Sequence, residues 1–210
     1  GRVSNANPGV TGVVDLGNAE TTGVITLSGE DFNAGGAVTF TGASYTVASG
    51  STDLVIVTSN DTVDFNAGVV TVGNKNFSID TDTTNTGGAG ANITFDGKIL
   101  ASTAQVSSAT VLSDLTFDAG TKTLTVTDIG YDGTNDVNEI NAVSLTAGTI
   151  STNGKINTHT IATNDKGNVT ITGALSLAGN TTIETDTAAS QTLDGGISIV
   201  GTTNATGSET

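Results

Sequence analysis

One short phrase recurs along this chain, and its recurrence limits the fold more than any other feature. VTFTG opens at Val38, VDFNA at Val63, ITFDG at Ile93, LTFDA at Leu115, VSLTA at Val143, VTITG at Val169 and ISIVG at Ile197. Successive copies lie 22 to 30 residues apart and average about 26. Within each copy the first and third residues are apolar, while the second and fourth are mostly Thr, Ser, Asp or Asn. Period-two alternation is the signature of a strand with one dry face and one wet face. A repeat length between 20 and 50 residues is the signature of a solenoid.

A second register supports the first. IDTDT at Ile79 and IETDT at Ile183 each precede a glycine-bearing turn and then a copy of the phrase, fourteen residues on, at Ile93 and Ile197. The expected architecture is therefore all-β: a right-handed parallel β-helix with about 26 residues per coil. Residues 1–35 read as an N-terminal strand region that caps or docks, 36–200 as the β-helix repeats and 201–210 as a polar C-terminal tail, all in one structural unit. Copies of the phrase are expected to stack in one column, with Val38, Val63, Ile93, Leu115, Val143, Val169 and Ile197 as its members. Phe40, Phe65, Phe95, Phe117, Leu145, Ile171 and Ile199 would form the next column, beginning with an aromatic stack. The competing architecture is a pair of tandem β-sandwich modules, whose strands alternate in the same way.

Composition agrees with thin layers better than with one thick core. There are 28 glycines, one proline and no cysteine, methionine or tryptophan. Glycine and asparagine at corners permit the left-handed backbone of tight turns. Six basic against 21 acidic residues give a formal charge of -15, which opposes contact with phosphate backbones and anionic lipid. Nucleic acid is therefore not an expected partner. No apolar run approaches the roughly 18 residues that span a bilayer, so membrane insertion is not expected either.

The most chemically suggestive segment is DIGYDGTNDVNE, Asp128 to Glu139. Acids stand at positions one, five, nine and twelve of a twelve-residue window, and Gly133 stands sixth, as in a calcium loop of the EF-hand type. Asp128, Asp132, Asp136 and Glu139 would supply carboxylates and Thr134 a carbonyl, making calcium the candidate cofactor. Position three is Gly130, which has no ligand to offer, and neither flank has a helical pattern. The segment reads either as a solvated acidic turn or as an enlarged corner of one coil clamped by a structural calcium ion.

Catalysis has little material to work with. His159 is the only histidine, Arg2 the only arginine, and Tyr45 and Tyr131 the only tyrosines, so a groove with acids, bases and sugar-stacking aromatics is hard to furnish. The chain is not expected to be an enzyme.

NITFDGKI, LSDLTFDAGTKTLTVTDIG, AVSLTAGTI and VTITGALSLAGNTTIETD resemble the strand repeats of giant bacterial surface proteins of the filamentous haemagglutinin type. The resemblance covers roughly residues 36 to 200. It departs from that family at NPGV, residues 7 to 10, where the secretion domain carries Asn-Pro-Asn-Gly. The resemblance implies an extracellular, cell-surface structural protein: a β-helical module of an adhesin, or a self-assembling filament. Its partners would be itself, end to end, or the rest of a longer surface protein. The alternative is a calcium-assisted binding module for glycan or protein on another cell.

Overall fold

The computed structural model describes residues 11–28, 31–82, 89–102, 113–133, 140–160, 167–187 and 195–205. Among the described residues nineteen strands are arranged as three faces around one apolar core, and the ladders between them are parallel. The molecule is a β-solenoid of about six coils spaced about 26 residues apart. Parallel pairing throughout excludes the sandwich, whose sheets are antiparallel.

The first face stacks β1 (Val14–Gly17), β4 (Val38–Thr41), β7 (Val63–Asn66), β10 (Ile93–Phe95) and β13 (Thr123–Val126). It continues through the second half of β14 (Val143–Thr152), the second half of β16 (Val169–Leu177) and β19 (Thr203–Ala205). On the second face lie β2 (Val24–Leu27), β5 (Ser44–Val47), β8 (Val69–Val72) and β11 (Ile99–Ala101). Ile129 then bridges Ile99 to Ile156, joining β15 (Lys155–Thr160) and β17 (Thr182–Thr187) to the same side. The third face stacks β3 (Asp31–Ala34), β6 (Leu54–Thr58), β9 (Phe77–Asp80), β12 (Leu115–Asp118), the first halves of β14 and β16, and β18 (Ile197–Val200). β1, β2 and β3 thus already belong to the three ladders.

The expected single column of phrases is corrected by the register. Val38, Val63 and Ile93 do stack, but the next member of their column is Leu124, followed by Ile150 and Leu175. Leu115 lies on the third face, above Phe77 and below Val143, Val169 and Ile197. The reason is physical: an inward-facing strand has the same alternation whichever face it occupies. One phrase therefore serves two faces of the same core.

Alternation is strict where the coils are internal. In β6 the residues Leu54, Ile56 and Thr58 are buried and Val55 and Val57 are not, and β12 repeats the pattern with Leu115 and Phe117 inside. Phe40, Phe65 and Phe95 stack ring on ring at 4.5 and 4.8 Å, close to the inter-coil rise of about 4.8 Å. Tyr45 meets this stack edge-on, 5.3 Å from Phe65. Its hydroxyl accepts the Gly42 N–H at 2.9 Å and lies 2.9 Å from the Phe40 carbonyl and 2.7 Å from the Asn66 carbonyl, so its proton is shared between two coils.

Candidate functional site

The acidic corner is built on the second face, where it is less a loop than a pinched rung. Ile129 donates its N–H to the Lys155 carbonyl, and the Asp128 carbonyl accepts the Ile99 N–H, both at the spacing of a regular ladder. Gly130 donates to the Ile99 carbonyl at 2.8 Å. With φ of +70°, Gly130 approaches the next coil so closely that a Cβ would lie 2.1 Å from the Asn157 carbonyl oxygen. That approach explains why position three of the loop pattern is glycine and carries no ligand.

Asp128 is engaged twice over. One carboxylate oxygen accepts the Lys155 N–H at 2.8 Å, and the other lies 3.4 Å from the Lys98 ammonium. Lys98 also donates to the Asp132 carbonyl at 2.8 Å. Lys155 reaches the Glu184 carboxylate at 2.6 Å. The half-buried Tyr131 ring lies between these cations, 4.6 Å from the Lys155 ammonium and 5.9 Å from that of Lys98. Lys98, Asp128 and Lys155 occupy successive coils directly before Ile99, Ile129 and Ile156, so charge alternates along the column. Beside it, Gly68, Asp96, Lys98 and Asp128 help to line a shallow, open depression of about 380 Å³.

The structure therefore brings Asp128 and Asp132 together through Lys98. Thr134, Asp136 and Glu139, the other three residues of the calcium expectation, lie outside the described residues. Among the described residues no group of three or more His, Cys, Asp or Glu is placed to hold a metal ion.

Asp128 belongs to a wider device, set outside the recurring phrase itself. At five places an Asn or Asp standing directly before the first inward residue of a rung accepts the N–H of the equivalent residue one coil on. Asp53 accepts from Asn76 at 3.0 Å, and Asn76 from Asp114 at 2.9 Å. Asn92 accepts from Thr123 at 3.0 Å, Asp128 from Lys155 at 2.8 Å and Asn168 from Gly196 at 2.7 Å. The Asn141 amide extends the third-face series by donating to the Asp114 carboxylate at 2.7 Å. A corner has no strand partner for its backbone N–H, and a short Asx side chain reaches it from the coil below. The signal was present in DLVIV, NFSID, NITFD, DIG and NVTIT: an Asx immediately before the apolar opening residue.

Exposed apolar side chains gather in the first and last described coils. The large apolar side chains exposed among the described residues are Val13, Val24, Ile197, Ile199 and Val200, all in the first coil or the last. Ile197 and Ile199 are 49 % and 40 % exposed, although each stands in an inward column whose earlier members are buried.

Comparison with protein-family models, with curated proteins and with solved structures gives no match.

Proposed function

We propose that this chain is an extracellular structural protein, a β-solenoid rod segment of a bacterial surface adhesin or surface filament. The observation that carries the reading is the continuous parallel ladder on three faces, with Asx side chains bonding coil to coil at its corners. Such a stack turns chain length into reach along one axis, about 4.8 Å for each coil. Its core is thin, so the architecture needs few large side chains, as the sparse aromatic content requires. A formal charge of -15 keeps such rods dispersed and away from anionic surfaces. The resemblance of residues 36 to 200 to filamentous haemagglutinin repeats supports a surface location. The role is mechanical, with no chemical step.

Immunogold labelling of intact source cells, using antibody against the folded chain, tests this reading. Gold on rods or filaments outside the cell is the expected result. Label confined to the cytoplasm of sectioned cells would overturn it.

A further inference from the structure

We infer that Asn153 is a site of spontaneous covalent modification: the Gly154 backbone nitrogen attacks the Asn153 carboxamide, ammonia leaves, and the resulting succinimide opens in water to aspartate or isoaspartate. The inference is independent of the rod reading, because it concerns the chemistry of one corner of the coil.

The sequence isolates the pair. Asn153-Gly154 is the only Asn-Gly step in the chain. Ring closure brings the nitrogen of the following residue onto the side-chain carbonyl carbon, and a side chain on that residue crowds the approach; glycine hinders it least. The asparagines of the Asx corners have the opposite setting. Asn76, Asn92 and Asn168 stand before Phe77, Ile93 and Val169, and each carboxamide oxygen accepts a backbone N–H from the next coil. Asn18 and Asn60 likewise accept the N–H groups of Glu20 and Gly90.

The fold leaves Asn153 unheld. It lies between β14 and β15, outside both strands, and is exposed. The flanking carbonyls are anchored: Thr152 accepts the Ala178 N–H at 2.8 Å, and Gly154 accepts the Thr182 N–H at 3.3 Å. Among the described residues no hydrogen bond engages the Asn153 carboxamide or the Gly154 N–H. The nucleophile and the carbon it attacks are therefore both free of competing bonds, at a corner open to water.

Packing keeps the glycine in place. A Cβ on Gly154 would lie 2.4 Å from Oδ1 of Asp128 and 2.9 Å from the Thr127 backbone carbon, so the neighbouring coil excludes a larger residue. The corner two coils earlier, Asp96-Gly97-Lys98, follows the same plan: a Cβ on Gly97 would lie 1.6 Å from the Gly68 carbonyl oxygen, and Asp96 is exposed. Deamidation turns Asn-Gly-Lys into the Asp-Gly-Lys already present there, so the aspartate product fits the fold. The isoaspartate product routes the main chain through the side-chain carbon and lengthens it by a methylene, beside a Gly154 with no room to move toward Asp128.

The step balances without an oxidant or reductant. Solvent base takes the Gly154 N–H proton, the bond from that nitrogen to Asn153 Cγ forms, the Cγ–Nδ2 bond breaks, and the amide nitrogen takes up a proton and leaves as ammonia. Water then adds to one of the two ring carbonyls. Opening at Cγ restores the main chain with an aspartate side chain, and opening at the α-carbonyl gives isoaspartate. Either product adds one negative charge to a chain of formal charge -15.

Incubation of the folded 210-residue chain in mildly alkaline buffer tests the inference. Isoelectric focusing should show an acidic satellite that grows with time. Peptide mass spectrometry should place a gain of about 1 Da at Asn153, accumulating about tenfold or more faster than at any other asparagine. Asn153→Gln should abolish the satellite, since the corresponding ring is larger and closes more slowly. Asn153→Asp should fold, with an unchanged circular dichroism spectrum, and focus where the satellite does. Two results would overturn the inference: an Asn153 that stays intact in the folded chain, whether or not urea-unfolded chain is converted, or a satellite that Asn153→Gln leaves unchanged. Neither bears on surface labelling, so the rod reading fails or stands separately.

Discussion

Phe95 and Phe117 stack with ring centroids 5.0 Å apart, although they project from different faces of the solenoid. Phe95 belongs to the first-face column of Phe40 and Phe65, and in the next coil Val126 stands two residues after Leu124, the partner of Ile93, as Phe95 stands two after Ile93; Phe117 belongs to the third-face column, between Ile79 and Leu145. The ring series therefore crosses the core at this coil. Where one column narrows from Phe95 to Val126, the other widens from Ile79 to Phe117. Phe117 thus ends the ring stack from a different face.

This exchange predicts a coupled pair of substitutions. Phe117→Ala should destabilise by about 3 to 5 kcal/mol through lost burial and a cavity. Val126→Phe should destabilise by about 1 to 3 kcal/mol, because the space beside it is already filled. Combining Val126→Phe with Phe117→Val should recover part of the sum, giving a coupling of about 0.5 to 3 kcal/mol. Urea unfolding of the four proteins measures it. Strict additivity would mean that the two side chains do not share one space.

Tyr45 makes stability depend on alkaline pH. Its hydroxyl is fully buried, and burial pushes its pKa above the ordinary value; the Gly42 N–H bond opposes the rise and the charge of Asp96 adds to it. The unfolded chain loses this proton near the ordinary tyrosine pKa of about 10, while the folded chain still holds it. Over that window the folded state binds more protons, so stability is complete below it and falls as pH rises toward the folded pKa. Tyr45→Phe should flatten this loss of melting temperature. It should also lower stability at neutral pH by about 1 to 3 kcal/mol, since the Gly42 N–H and Asn66 carbonyl lose their buried partner.

The Asx corners separate two roles of Asp128. Asp128→Asn keeps an acceptor for the Lys155 N–H and gives up the ion pair with Lys98, which is partly exposed and worth about 0 to 1 kcal/mol. Asp128→Ala removes both and should cost about 1 to 3 kcal/mol, while Asn92→Ala and Asn168→Ala, whose bonds are exposed, should cost about 0.5 to 1.5 kcal/mol. Thermal melts at low and high salt distinguish the contributions. The difference between wild type and Asp128→Asn should shrink with salt, and that between Asn and Ala at 128 should not.

Fold class was legible because period-two alternation and a period near 26 are both direct consequences of stacking a three-sided coil. Face assignment was not legible, since Ile93 and Leu115 open nearly identical phrases but sit on different sides of the core. Only the register of Leu124 on Ile93 separates them, and register is a property of the whole coil. At the acidic corner, spacing alone spelled a metal loop. The same Asp128, taken with Asn92 and Asn168 before their own apolar residues, spells a backbone acceptor. The lysines that meet the corner come from neighbouring coils, about 30 residues away in either direction, beyond the reach of any local motif.

Two classes of glycine should respond oppositely to a methyl group. At Gly173, φ is +133° and an added Cβ would lie 1.8 Å from the Ala147 carbonyl oxygen, with Ile150 close behind at 3.3 Å. A backbone oxygen held in a ladder cannot retreat as a flexible side chain can, so Gly173→Ala combines torsional strain with a clash. About 1 to 3 kcal/mol of strain alone is expected. Around Gly12 and Gly23 an added Cβ meets nothing within 4 Å, and neither has positive φ. Alanine there restricts the unfolded chain more than the folded one, and should be neutral or stabilise by up to about 1 kcal/mol. Melting temperatures of the three single variants decide the matter. A Gly173→Ala protein as stable as the parent would show that the coils do not approach at that corner as closely as the ladder requires.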